Sequence, residues 1–360
     1  MRLNRKIIVP IIGAIFIGIC VIVFGIMIIT QNGINVGYEV FVQDNYVFIT
    51  NNDGTEIHDV SNPSNPIQIG EITTSDGAFG VEVIEDFLYI ASDSNGFLIV
   101  NISNPDRPVI IGEYSDGGSA NSVCVEGSYA YVTEYPRGLE IFDISNPKAI
   151  TKVSTFDDGG EFRDIALKDG LAYLADPNNG LKVINVSDPS SPSRIRTVSG
   201  THGVIDIYIY EHLMFLGCHG NGVRIIDIST PQSPTILGQY QKSECEVFGV
   251  TGNTTHLYVA DLQKGVYLLN ITDINQPFEI AHYRDATPHD IFYDGEYVYL
   301  ADQDRELFIF EADLTLVYRG EISIASHFAA IPCFEFAFVI GGLISARFVL
   351  MMARKKKMKP

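Results

Sequence analysis

The chain has no tryptophan among its 360 residues, so repeat families organised round a recurring tryptophan, such as WD40, kelch and Asp-box repeats, fit it poorly. Basic side chains are scarce once the two ends are set aside, where 43 acidic and 15 basic residues leave a charge near −28. Phosphate binding needs a basic face, which excludes nucleic acid as a partner. The same charge favours solubility and weak association with cations. There are five cysteines, and Cys20 and Cys333 lie in apolar ends. Cys124, Cys218 and Cys245 are odd in number and exclude a fully paired set. A Cys218–Cys245 bridge and free thiols both stay open, with free thiols expected. No HExxH, GxSxG, CxxC or phosphate loop occurs, so no short catalytic signature points to an enzyme.

What is present is periodicity. Asp59, Asn101, Asp143, Asn185, Asp227, Asn270 and Glu311 follow one another at 42, 42, 42, 42, 43 and 41 residues. Phe48, Tyr89, Tyr131, Tyr173, Phe215, Tyr258 and Tyr299 keep nearly the same step. Such a period marks a repeat architecture. Each unit holds four short apolar runs rich in Val, Ile, Tyr and Phe, which read as strands. In the second unit these are Val81 to Ile84, Phe87 to Ala91, Phe97 to Ile102 and Val109 to Tyr114. Tight polar turns join the first two, as hairpins require. A loop ending in Gly54, Gly96, Gly138, Gly180, Gly222 or Gly265 precedes the third run, and Glu306 stands there in the seventh unit. The third run is nearly unbroken in its apolar character and the fourth is more polar, as in a blade whose inner strands are covered and whose outer strand meets water. The fold expected is an all-β seven-bladed β-propeller of four-stranded antiparallel blades over residues 38–322. The count starts on an inner strand and ends on an outer one, so closure is expected from packing of blade one on blade seven, without strand exchange.

Ser61-Asn62-Pro63 and Ser103-Asn104-Pro105 follow the third run, each with a second proline, Pro66 and Pro108. Proline suits a rigid turn before an edge strand. These clusters are read as turn-building rather than as cation ligands. The segment Phe97-Leu98-Ile99-Val100-Asn101-Ile102-Ser103-Asn104-Pro105 and its counterpart Leu139 to Pro147 resemble the LVIVD repeat of archaeal and bacterial surface proteins, over roughly residues 38–320. That resemblance implies a propeller displayed outside the cell and no particular activity. Lys148-Ala149-Ile150 and the last unit depart from the pattern.

Both ends read as membrane segments. Residues 1–6 form a short cytoplasmic stub and Ile7 to Ile29 carries no charge, enough for a span of about 20 residues. Arg2, Arg5 and Lys6 precede it, which places the N-terminus inside. The run exceeds a signal-peptide core and has no clear cleavage site, so an uncleaved anchor is expected, followed by a linker at 30–37. Residues 328–353 form a second apolar stretch before the basic tail 354–360. Glu335 and Arg347 interrupt it, roughly 18 Å apart on a helix and too distant to pair. The stretch from Ile331 to the tail also resembles archaeal C-terminal sorting signals, with Cys333 where those have glycine. The expected topology has both termini cytoplasmic and the propeller outside, on a cell membrane.

Four sites match the N-glycosylation pattern, and Asn253, in an enlarged turn, is the candidate. For ligand binding, alignment places Glu39, Gly80, Ser122, Asp164, Asp206, Val247 and Asp290 at one position at the start of the innermost strands. Asp164, Asp206, Asp290 and Glu39 would crowd the channel mouth, with His202 and His289 nearby. The expected reading is a wet channel mouth that tolerates polar residues and holds no cofactor; calcium is the alternative, the cation such oxygens would suit. The loops before these strands differ most between units, and variable loops on a rigid ring are where propellers recognise things. The function expected is a membrane-anchored, non-enzymatic module binding protein or glycan. A hydrolase or lyase using the acidic mouth and a structural envelope component are the alternatives.

Overall fold

In a computed structural model, residues 38–303 and 306–321 are described. The two expected spans, the linker and the basic tail lie outside the described residues. Among the described residues no helix is long and apolar enough to cross a membrane. Among the described residues twenty-eight strands pair into seven four-stranded antiparallel sheets, each built from four consecutive strands. The blades cover residues 40–73, 80–114, 119–156, 164–197, 204–240, 247–283 and 288–321. No strand is exchanged between the first and last blades, and Phe41 of blade one meets Phe292 of blade seven with ring centroids 5.3 Å apart.

Alternation and run length place the core. The third strand Gly96–Asn101 is buried except at its last residue, whereas the outer strand Ser193–Thr197 is exposed throughout. Cores therefore form between blades. Phe48 and Ile57 of blade one pack with Val81, Leu88 and Ile90 of blade two, and Leu213 and Phe215 of blade five with Val250, Leu257 and Val259 of blade six. Burying each such side chain contributes roughly 1.5–3 kcal/mol, so a blade taken alone leaves two apolar faces wet.

The two repeated signals have separate structural causes. Asp59, Asn101, Asp143, Asn185, Asp227 and Asn270 each accept the backbone N–H two residues on, at 2.7–3.1 Å, and so build the turn before the outer strand. The recurring glycines sit in the left-handed region. Gly96 has φ +75° and Gly222 φ +73°, and a Cβ on either would lie 2.3 or 2.2 Å from the outer-strand carbonyl of Tyr114 or Tyr240.

Candidate functional site at the channel mouth

Hairpin pairing fixes which residues surround the axis. Gly80, Ser122, Asp164, Asp206, Gly249 and Asp290 stand opposite Ala91, Thr133, Ala175, Gly217, Ala260 and Ala301 of the neighbouring strands. The Glu39 carbonyl takes the Thr50 N–H at the same level. The sixth position is thus Gly249, not the expected Val247. Val247 pairs with Asp261 and turns into the core between blades five and six. A Cβ at residue 249 would lie 2.7 Å from Asp290 Oδ1, so blade seven's carboxylate takes the space that a side chain from blade six would need.

The carboxylates clasp the ring. The N–H of Val40 donates to Asp290 Oδ2 at 2.9 Å, that of Val81 to Glu39 Oε2 at 3.2 Å, that of Ile207 to Asp164 Oδ2 at 2.8 Å and that of Val250 to Asp206 Oδ2 at 2.7 Å. Glu82, two residues beyond Gly80, accepts the Val125 N–H at 2.5 Å. In each case a blade accepts an inner-strand amide from the next blade. Between blades three and four the bond reverses, with Ser122 Oγ donating to Asp164 Oδ1 at 2.7 Å. Asp290 with Val40 joins the first blade to the last. The sequence pattern located four of these acids and missed Glu82, whose offset from the ring position hides it.

Burial and mutual repulsion set the acidity of this ring. Protein surrounds each carboxyl on all sides but the channel, and burial pushes Asp164 up to about 6, and Asp290 and Glu82 up to about 7. Glu39 and Asp206 are raised further, by burial first and then by the charges of the other ring acids. The donated N–H bonds act the other way, favouring the ionised forms. Among the described residues, only Asp116, Glu134 and Glu140 bring three ligand-type atoms within 4.8 Å of one another. The ring oxygens are spread round the axis and feel one another as charges.

Above the acids lies a layer of which the sequence pattern singled out only His289. One residue before each ring position stand Tyr38, Phe79, Asn121, Arg163, Ile205, Phe248 and His289, all lining a central cavity of about 920 Å³. Edge-to-face contacts link Phe79 to Tyr38 at 4.7 Å, Tyr38 to His289 at 5.9 Å, His289 to Phe248 at 5.0 Å and Phe248 to His219 at 5.7 Å. Burial holds the His289 ring down at about 4, so it sits there neutral. Arg163 is exposed on the far side of the rim. His202 is not part of this lining. It is exposed on the loop entering blade five, its Nδ1 3.1 Å from the Asn178 carbonyl.

A second ladder of buried polar residues, Asn51, Ser92, Glu134, Asp176, Asp261 and Asp302, serves loops. Asn51, Asp176 and Asp261 accept N–H groups two residues on, and Asp302 accepts that of Thr287. Glu134 is the exception. It lies against Glu140, fully buried, with Lys152 Nζ bonded to Glu140 and 3.2 Å from Asp116, and Arg137 2.6 Å from Asp116. The built-in cations occupy the place a metal would take. Burial and the Glu140 carboxylate push Glu134 up to about 8. Cys218 and Cys245 are buried free thiols and Cys124 is a partly buried one. Asn253 is partly exposed, and its Oδ1 accepts from Thr255 and His256.

Six segments, 38–74, 77–116, 117–158, 159–199, 203–242 and 288–310, match the family model "LVIVD repeat". The chain belongs to the LVIVD-repeat family. The matched segments cover more than half of it, and blade six falls between them. A search of the curated proteins finds no match. Among solved structures, the fold is similar to U3-55K (TM-score 0.63, 12% identity, 76% of this chain and 90% of that one). It is also similar to the computationally designed Ika8 protein (0.61, 9%, 80% and 87%) and to Saccharomyces cerevisiae Sqt1 (0.57, 9%, 81% and 86%). At these identities the likeness is one of fold. Chains of such different sequence can share the architecture because each blade needs both its faces covered.

Proposed function

We propose that this LVIVD-repeat propeller is a non-enzymatic binding module that presents its loop face to protein or glycan partners, anchored in a membrane by residues 7–29 and 328–353 with the propeller outside. The observation that carries it is the clasp: the acids an enzyme would use each accept an amide of the next blade, and Asp290 closes the ring on Val40. What is left for a partner is the rim, where Asp157 to Glu161, Ser199 to His202 and Ser243 to Glu246 differ from one another. The basic flanks support the orientation, since lysine and arginine resist translocation.

The hydrolase or lyase reading draws on the raised pKa values of Asp164 and Asp290, about 6 and about 7, which suit proton transfer near neutral pH. Both readings face one experiment. The full chain is screened against glycan and surface-protein libraries for binding and for turnover. Binding without turnover fits the module, whatever the affinity left when Asp164, Asp206 and Asp290 are all changed to Asn. Turnover lost in that variant would replace this reading by the enzymatic one.

A further inference from the structure

We propose that the channel mouth takes the cationic end of a lysine or arginine side chain presented by a protein partner, an inference that rests on the loop face being a binding face. Two layers meet there. The upper is the arc Phe79, Tyr38, His289, Phe248 and His219, five rings in continuous contact across blades two, one, seven, six and five. The lower is the ring of Glu39, Asp164, Asp206 and Asp290, which lines the same cavity of about 920 Å³. Aromatic rings attract cations through their negative faces, most strongly where water is displaced, and carboxylates beneath supply the opposing charge.

The chemistry of the mouth discriminates among ligands. An anion meets the acids. A neutral sugar stacks on the rings but does nothing to relieve the burial and mutual repulsion that hold the acids in their protonated forms, whereas a cation favours their ionised forms. A calcium ion prefers several oxygens converging on it, and the ring oxygens bring no trio within 4.8 Å. An ammonium or guanidinium group on a flexible stem satisfies both layers, with the stem against the rings and the charge over the acids. His289 is held neutral by burial and adds an aromatic wall without a repelling charge. Arg163, exposed across the rim and in no ion pair among the described residues, faces an acidic neighbour of the inserted side chain.

The test is titration calorimetry on the full chain at fixed ionic strength. The probes are acetyl-Gly-Lys-Gly-amide, the same peptide carrying Nε-acetyl-lysine, and CaCl₂ alone. The lysine peptide should bind and the acetylated one should not. Phe248→Leu and Phe79→Leu leave the acid clasp intact and should each weaken binding on the order of fivefold, the size of one aromatic–cation contact, with the melting temperature as a check on folding. Equal binding of the two peptides, no binding of either, or a calcium response that the Phe variants leave intact would overturn the proposal. If a partner from the screen binds the Phe79→Leu/Phe248→Leu protein at full affinity, the mouth inference falls and the loop-face reading stands. Lysine-specific binding in a protein for which the screen finds no partner upholds the mouth and overturns the loop-face reading.

Discussion

The ring acids make the propeller less stable as pH rises through neutrality, and the size of the effect follows from their environments. A carboxyl whose folded pKa is raised holds its proton in the native state at a pH where the unfolded chain, near 4, has lost it. Its stabilising contribution is complete below the unfolded value and disappears as pH climbs through the folded one. Asp290 and Glu82, both near 7, should each remove roughly 0.8 kcal/mol of stability between pH 6.5 and 8.0. Glu39 and Asp206, held well above the usual carboxylate range by burial and by the other ring acids, act in the same direction, though coupled sites do not simply sum. His289, held near 4, acts in the opposite sense by about 0.4 kcal/mol, because the unfolded ring is half protonated at about pH 6.5, and the raised cysteines act only above about 8. A net loss of at least about 1.2 kcal/mol corresponds to a fall in melting temperature of about 2 °C or more. Circular dichroism melts of the full chain at pH 6.5 and 8.0 measure it. The variant with Asn at 164, 206 and 290 keeps an acceptor at each position, removes three charges and lowers the repulsion on Glu39. Its fall should be smaller by at least about 0.8 kcal/mol, the share of Asp290. Glu134, near 8, contributes equally to both proteins and cancels in the difference. A melting temperature that rises over this window, or a slope the triple variant leaves unchanged, would refute the argument.

Deleting residues 87–128, one full repeat, exposes two apolar faces, and the product should aggregate or lose its cooperative melt; a monomer as stable as the parent would contradict the ring. Gly222→Ala should cost at least about 1–3 kcal/mol because it forces a left-handed φ and a 2.2 Å approach to the Tyr240 carbonyl; denaturant midpoints read it. Lys152→Met strands the fully buried Glu140 and should cost roughly 3 kcal/mol; adding Glu140→Leu should recover much of it, and additive losses would show that the pair is not coupled. Protease applied to intact cells should remove the propeller and spare tags at both termini, whereas digestion of a C-terminal tag from outside would refute the proposed topology.

The sequence by itself determined the fold, because a blade is a local object. The run lengths, the Asx turns at Asp59 to Asn270 and the glycines at Gly54 to Gly265 are short-range requirements that recur every 42 residues or so, and repetition lifted each above noise. It also located Asp164, Asp206 and Asp290, since they share one repeat position. Tertiary structure alone decided what those acids do. Each reaches an amide about 42 residues away, or 250 away for Asp290 and Val40, and hydrogen bonds across blades leave no local signature. The same cause explains Gly249, whose empty side is filled by the next blade, and Glu82, which joins the clasp from two residues further along its strand. The aromatic arc was hidden for a related reason: Tyr38, Phe79, Phe248 and His289 occur in only some repeats, so no period announces them, and only closure of the ring brings their edges and faces together.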